Sequence, residues 1–295
     1  MTRLLSLLFC LATLVVRAEK SQAAFDDAGG AFLMRELGFT EDDLRGVGNG
    51  RVAFRQLATE DGREVAAAGI VRVAITPAEF VRRLTDIASF KKADAVLQIG
   101  TFSAPRDITD VAGLTLPSAD VRNLRSCRVG DCGMQLPSYI IDPDEFRDLV
   151  SSDTRVLPTF PDLRRHLMTA LTSAPTVSDV LYWSKEKVAR KEVVSVTHLA
   201  IARQPSTSPF AYVAGSKQLY GSHYFDAALG LTIVLRDPTS RASAYVAYVN
   251  RSRVDAFGGL FGGITRRIVR SRARGALADF LEVLQRRLET GGSLE

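Results

Sequence analysis

The sequence of 295 residues has little of several residue types that carry chemistry or metals in other proteins. It contains three cysteines, three histidines and one tryptophan. A structural zinc site needs four thiolate or imidazole ligands close together, and the chain has no second cysteine pair to supply them. No G-x-S-x-G motif marks a serine hydrolase, and "GVGNG" lacks the lysine of a phosphate-binding loop. We therefore predict no cofactor and no metal.

The chain also lacks a strong charge of either sign. Its 38 Lys and Arg residues against 33 Asp and Glu residues give a formal charge of +5, which is too small an excess for a nucleic-acid binder. Beyond the N-terminal region no uninterrupted apolar run reaches the roughly 18 residues that a membrane-spanning helix needs. Apolar residues make up 46% of the chain, which is enough for a large core.

The N-terminus has the pattern of a secretion signal. Arg3 precedes an apolar stretch, Leu4 to Val16, that is too short to cross a bilayer and right for the core of a signal peptide. Small residues follow in "VRA" and "SQA", where a signal peptidase cleaves. We predict that residues 1–23 are a signal peptide and that the protein is exported, either periplasmic or secreted. An uncleaved N-terminal anchor is the alternative.

Two cysteines remain after the signal peptide, Cys127 and Cys132, in "CRVGDC". In an exported protein, a cysteine pair that closes a short glycine-containing loop favours a disulfide. A two-thiolate metal site is the alternative, but no second cysteine pair or nearby histidine completes four ligands.

Periodicity divides the chain into an N-terminal helical part and a mixed part. Residues 24–48 have a helical pattern, with Thr40 as an N-cap, and a hairpin of two strands follows. Thr76, Pro77 and Glu79 then form the pattern of a capping box before a helix, which leads to a strand at Ala95. No hinge divides the chain, so we predict one domain over 49–295 with an insertion at about 103–180.

The C-terminal part predicts an antiparallel meander of about five strands, followed by a long helix from Val254 to Glu289. One apolar stripe of that helix includes Leu277, Leu281, Leu284 and Leu288. Its start, "GGLFGG", holds four glycines, each costing about 1 kcal/mol relative to alanine in a helix.

A strand, a capped helix, a strand, an antiparallel meander and a long final helix together form the helix-grip plan. The segments "GIVRVAITPAEFVRRLTDIASFKKADAVLQIG" and "AYVAYVNRSRVDAFGGLFGGITRRIVRSRARGALADFLEVLQRRLE" resemble the START-like superfamily of lipid-transfer and polyketide-cyclase-like proteins. The chain is also similar to uncharacterised secreted bacterial proteins. The resemblance implies an α+β fold in which a curved antiparallel sheet packs on the C-terminal helix, with an elongated cavity between them for an apolar molecule.

From this resemblance we expect a binding or carrier protein for a lipid-like ligand, with no enzymatic group required. The residues expected to line the ligand are Leu219, His223, Phe225, Tyr245, Phe257, Phe261 and Ile264. Two alternatives stay open: an enzyme of cyclase, hydrolase or isomerase type that uses His198 or His223 as its acid–base group, and a protein-interaction module of the cell envelope.

The two strand histidines are the weak catalytic candidates. On a regular strand, His223 would share a face with Leu219 and Phe225, and Asp226 would point the other way. An acid–base histidine needs a carboxylate that fixes its tautomer, and the sequence places none beside either histidine. We therefore favour a satisfied, cavity-lining His223.

A group of arginines on the last helix has two interpretations. Such a run is usually the solvated face of a helix, but glycines and aromatic residues precede this one, as in segments that touch an anionic membrane. The membrane-contact hypothesis rests on Arg266, Arg267 and Arg270.

Overall fold

The computed structural model describes residues 28–60, 62–126, 176–188, 190–254 and 262–289. The predicted signal peptide, Phe257, Phe261 and the predicted Cys127–Cys132 disulfide lie outside these ranges. Ile264, Arg266, Arg267 and Arg270 lie in the first half of the last helix.

The described chain is α+β, with six α-helices and eight strands. The helices are α1 (Ala28–Leu37), α2 (Glu41–Gly48), α3 (Pro77–Thr85), α4 (Ile87–Phe90), α5 (Ser118–Ser126) and α6 (Gly262–Glu289). The strands are β1 (Ala53–Gln56), β2 (Glu64–Val73), β3 (Val96–Thr101), β4 (Thr176–Val188), β5 (Lys191–Arg203), β6 (Phe210–Gly221), β7 (Phe225–Arg236) and β8 (Ala244–Val254). A short 3₁₀-helix (Ile108–Val111) follows β3.

All eight strands form one antiparallel sheet in the order β1-β2-β8-β7-β6-β5-β4-β3. The predicted hairpin is confirmed, with Ala53 opposite Ile70, and β4 to β8 form the predicted five-stranded meander. The insertion ends earlier than expected, because β4 already begins at Thr176. The long helix starts later than expected, because β8 continues to Val254 and α6 begins at Gly262.

The sheet has two buried faces because its side chains alternate. We call the face that carries Ala67, Val71 and Val73 the inner face; it packs against α3 and the C-terminal half of α6. The opposite, outer face carries Ala66, Ala68 and Ile70, which pack with α1 and α2. The N-terminal helices are therefore the cover of the outer face.

Local sequence sets the helix ends. Thr40 caps α2 with a full capping box, in which its hydroxyl accepts from the Asp43 amide and the Asp43 carboxylate accepts from the Thr40 amide. Thr76 caps α3 through the Glu79 amide, as predicted. The second half of that predicted box is not formed: the Glu79 carboxylate instead accepts hydrogen bonds from Arg82 and Arg83, which lie one turn further along the helix.

One strand prediction around His223 is wrong. Lys217 to Asp226 is not a regular strand, because β6 ends at Gly221 and β7 begins at Phe225. Between them the Phe225 amide donates to the His223 carbonyl at 2.9 Å, and Tyr224 has a φ of +69°. This geometry is that of a tight γ-turn, and it places His223 in the turn rather than on a strand face.

Candidate functional site

At one end of the strands the inner face is filled by buried apolar side chains, and we call this end the sealed half. At the other end it carries polar side chains. Its sealed half packs Phe80 and Leu84 of α3 with Ile201 and Val246 of the sheet, and each of these side chains is at most 5% exposed. Toward the other end of the strands, the inward positions become polar: Ser184, Glu186, Ser195, Thr197, Ser216, Gln218, Thr232, Tyr248, Asn250 and Ser252. We call this set, together with Lys91, the polar half of the inner face.

Most of these inward side chains keep some accessible surface. Thr197, Ser216, Thr232, Tyr248 and Asn250 are half-buried although their strands lie within the sheet. Accessible surface on an inward-facing side chain requires open space above it. A filled core would bury these positions with apolar residues, as the sealed half does. The polar half therefore borders open space above the inner face of the sheet.

An ion pair stands at the edge of this space. Lys91, just after α4, donates to Glu186 of β4 at 2.7 Å, and each side chain is 27% accessible. The Ser184 hydroxyl donates to the same carboxylate oxygen at 2.6 Å and lies 3.1 Å from the Ser195 hydroxyl. The Lys91 ammonium also lies 5.4 Å from the centre of the Tyr182 ring. The result is a connected chain of charged, hydroxyl and aromatic groups.

Electrostatics keep this pair charged. Burial lowers the pKa of Lys91, but Tyr182 and Glu186 outweigh burial and hold that pKa above its usual value. Burial raises the pKa of Glu186, but Lys91 and Ser184 hold it below its usual value. Burial raises the pKa of Tyr248, so its phenol stays neutral. At neutral pH the space thus presents a paired cation and anion and a neutral hydroxyl.

Tyr248 joins the polar half to α6. Its ring centre lies 6.1 Å from that of Phe280, which is 40% exposed, and Asn250 donates to its hydroxyl at 3.4 Å. The ring lies over β7 at Gly230, where a Cβ would come within 3.1 Å of the Tyr248 hydroxyl. A Cβ at Gly230 would come still closer to the Ser216 hydroxyl, so the glycine leaves room for Ser216 and Tyr248. Phe280 provides an aromatic surface beside Tyr248.

The residues that the sequence predicted as ligand-binding lie in different parts of the structure. Phe225 packs with Val65 and Val254, and Leu219 lies half-buried at an irregularity of β6. Tyr245 lies on the outer face, 2% exposed and 6.0 Å from the Arg72 guanidinium, because its position in β8 alternates with that of the inward-facing Val246. Among the described candidates, none joins the polar half of the inner face.

Each candidate histidine has its own carboxylate partner. His223 Nε2 lies 2.9 Å from Asp120 Oδ1, with both side chains almost fully buried, and Lys191 Nζ lies 3.3 Å from His223 Nδ1. His198 Nε2 contacts Asp179 on the neighbouring strand β4. These contacts fit a His223 that donates from Nε2 and accepts at Nδ1. The two histidines form separate sites.

Sequence reasoning missed both partners and the whole polar half. Asp120 is 103 residues from His223 in sequence, and Glu186 is 95 residues from Lys91. One signal was present: Ser184 and Glu186 in β4, and Ser195 and Thr197 in β5, are polar residues two positions apart, which places each pair on one face of its strand. In the described part of the chain, no three histidine, cysteine or acidic side chains come together as metal ligands. No described helix is both long and apolar enough to cross a bilayer.

Comparisons with known proteins add little to this description. No family model and no curated protein matches the chain. Among solved structures, the chain is similar to the protein TTHA0849 from Thermus thermophilus, at 12% sequence identity and a TM-score of 0.41, covering 78% of this chain and 99% of that one. A likeness at this level carries no functional conclusion.

Proposed function

We propose that this protein binds a small amphipathic molecule between the inner face of its sheet and α6. The observation that carries the proposal is the polar half of the inner face: inward-pointing side chains that stay partly accessible around the Lys91–Glu186 pair. Ligand pockets are mostly apolar with a few well-placed polar groups, and this space has both kinds of lining. Its function would be binding or carriage rather than catalysis.

The order of elements supports a helix-grip plan for this fold. Strand β2, helices α3 and α4, strands β3 to β8 and helix α6 follow one another in the order that START-like proteins use, within one antiparallel sheet. Strand β1 and helices α1 and α2 are additions at the edge and on the outer face. In this plan the ligand lies between sheet and final helix, and α6 packs on the same face of the sheet that carries the polar half.

The lining favours an amphipathic ligand over a wholly apolar one. A charged pair in the wall of a purely apolar cavity would lose hydration on ligand binding and gain no new partner. Because Lys91 and Glu186 neutralise each other, the polar end of the ligand need carry no net charge: a hydroxyl, carbonyl or amide group would suffice. Phe280, Phe90 and Ile99 offer apolar surface to the remainder.

The test is exchange of fluorescent lipids between the purified protein and vesicles. Wild type should take up at least one of a sterol, a fatty acid or a phospholipid. The double variant Lys91→Met, Glu186→Met should keep the fold, because replacing both partners of a buried pair is often neutral, and should bind about tenfold more weakly. Glu79→Gln, which removes a surface carboxylate, is the matched control. No uptake of any of these lipids by wild type would refute the proposal.

A second candidate is an enzyme that uses His223, favoured by the buried Asp120 partner. Against it, the remaining ring nitrogen already faces Lys191, so a substrate would have to displace that amine. His223→Gln decides between the two: lipid exchange should persist in the binding protein, whereas an enzyme would lose turnover.

Export and contact of Arg266, Arg267 and Arg270 with an anionic membrane remain predictions from the sequence. A protein-interaction role for the insertion also remains a prediction. Ile108, in the described part of the insertion, is 83% exposed, which is consistent with that role.

A further inference from the structure

A groove of about 600 Å³ lies at the end of the sheet where β7 turns into β8. Its walls come from the β5–β6 turn, the β7–β8 turn, Pro77 at the start of α3 and Ala28 at the start of α1. Strand β8 begins at this end with Ala244 and reaches the polar half of the inner face only at Tyr248. The groove is therefore separate from the ligand space proposed above.

The one acidic side chain among the described groove residues has its charge already neutralised. Asp237 accepts hydrogen bonds from Arg72, from the Ser243 hydroxyl at 2.7 Å and from the Thr239 amide at 2.8 Å. Its carboxylate is fully buried, at 0% exposure. Asp237 therefore holds the β7–β8 turn in shape and offers no free anion to the groove.

Two arginines on the groove wall, Arg236 and Arg241, have no described carboxylate that neutralises their charge. Arg236 donates through Nη1 to the carbonyls of Ser208 and Phe210 and through Nη2 to that of Pro205, and no described carboxylate pairs with it. Burial lowers the pKa of Arg236, and the neighbouring charge of Arg203 adds to that effect. Arg241 is exposed, and within the described chain it makes no hydrogen bond or ion pair. The described walls of the groove therefore carry two positive charges that no described carboxylate neutralises.

The rest of the lining suits an organic molecule rather than a bare ion. Pro77, Pro209 and Pro238 give rigid apolar walls, and Thr207 and Ser240 add hydroxyl groups. We propose that this groove binds a small soluble organic anion whose phosphate or carboxylate group contacts Arg241 and Arg236 and whose apolar body rests on the prolines. Arginine suits such groups because its planar donors match two acceptor oxygens at once.

The probe is phenyl phosphate, titrated calorimetrically into the full chain and compared with inorganic phosphate. Phenyl phosphate should bind saturably and more tightly than inorganic phosphate, because only it has a ring for the apolar wall. Arg241→Gln should weaken this binding about tenfold, the loss expected for one charge-assisted hydrogen bond. Arg106→Gln, which removes an equal charge from an exposed position outside the groove, should leave binding unchanged.

Arg236→Lys provides a second variant, because lysine keeps the charge but loses the planar fork, and it should also weaken phenyl phosphate binding. The absence of saturable binding, or equal weakening by Arg241→Gln and Arg106→Gln, would overturn the proposal. So would binding to phosphatidic acid vesicles without binding to phenyl phosphate, since the anion would then be a lipid headgroup. Lipid exchange through the inner face should be unaffected by the groove variants, so the two proposals can fail separately.

Discussion

At the scale of single residues, close approach between α6 and the sheet depends on Gly69. This glycine lies on the inner face of β2, opposite Tyr248, and a Cβ at its position would overlap the Cδ1 atom of Leu281. Leu281 is fully buried at 0% exposure in the apolar cluster of the inner face. The missing side chain therefore sets how closely the helix lies on β2.

We expect Gly69→Ala to lower the free energy of unfolding by about 1–3 kcal/mol, the usual cost of overpacking a core. Gly113→Ala is the control, because Gly113 is exposed and a Cβ there meets no atom within 4 Å. Urea unfolding of both variants measures the difference. Equal stability of the two variants would show that α6 can move away from β2 at little cost.

Asp237 predicts how the stability of the fold changes at acidic pH. Burial raises the pKa of its carboxyl, but hydrogen bonds from Thr239, Ser243 and Arg72 outweigh burial and hold this pKa below its ordinary value. A carboxyl with a depressed folded-state pKa stabilises the fold above its unfolded pKa, about 3.9, and loses this contribution as pH falls through the folded-state pKa. Wild type should therefore lose stability below about pH 4 in a way that a variant without this carboxyl does not.

Asp237→Asn should lower the free energy of unfolding by about 2 kcal/mol at neutral pH, because a buried charge-assisted hydrogen bond is lost. The difference from wild type should shrink as the pH is lowered below about 4 and toward the folded-state pKa of Asp237. Urea unfolding across this range measures it, with the exposed Asp42→Asn as a control. A difference that stays constant with pH would show that the Asp237 carboxylate is not the group that titrates.

At the scale of elements, side chains in the first turn of α2 cap the helix and attach it to the edge of the sheet. The Thr40 hydroxyl accepts from the Asp43 amide at 3.2 Å, and the Asp43 carboxylate accepts from the Thr40 amide at 2.7 Å and contacts Arg55 of β1. The same cap thus starts the helix and ties it to the sheet edge. Leu44 and Val47 of α2 then pack in the core of the outer face.

Thr40→Ala should cost about 1 kcal/mol of unfolding free energy, the usual contribution of an N-cap hydroxyl. Thr40→Ser, which keeps the hydroxyl, should stay close to wild type. Hydrogen exchange should show faster exchange in α2 and unchanged exchange in β6 and β7 for the alanine variant. Similar losses for both substitutions would mean that the methyl group of Thr40, and not its hydroxyl, matters.

At the scale of the whole molecule, the His223–Asp120 contact links α5 to the β6–β7 turn across 103 residues of sequence. The turn holds Tyr224 at a positive φ, a conformation that costs about 1–3 kcal/mol for a residue other than glycine. The Lys191 ammonium lies 5.7 Å from the centre of the Tyr224 ring and also meets His223. These contacts fix the turn and bring the described end of the insertion onto it.

A double-mutant cycle of Asp120→Asn and His223→Gln tests this link. The two single changes should be strongly non-additive, with a coupling energy of about 1–2 kcal/mol, because both remove the same buried contact. Lys187→Ala serves as the control, since Lys187 is exposed and lies outside the β6–β7 turn and α5. Additive losses in denaturant unfolding would mean that the contact does not stabilise the fold.

Local sequence was sufficient to predict many of the helix caps and strands of this protein. The caps at Thr40 and Thr76, the β1–β2 hairpin and the meander β4 to β8 follow from side-chain chemistry and periodicity within about ten residues, so they could be predicted. The run "EVAAAGIVRV" in β2 was also a signal of a strand buried on both faces, since a half-exposed strand would alternate apolar and polar residues.

Only the tertiary structure decided which residues far apart in the sequence contact each other. Nothing near Lys91 indicates Glu186, and nothing near His223 indicates Asp120, because strand order and register bring these pairs together only when the whole sheet forms. The turn at Tyr224 likewise broke a pattern that resembles a continuous strand, and so changed the direction of His223. The sequence by itself determined the elements and their order, because these depend on local hydrogen bonds and periodicity. The polar half of the inner face was decided by tertiary structure, because it exists only where strand register brings polar side chains of β4 to β8 onto one face of the sheet.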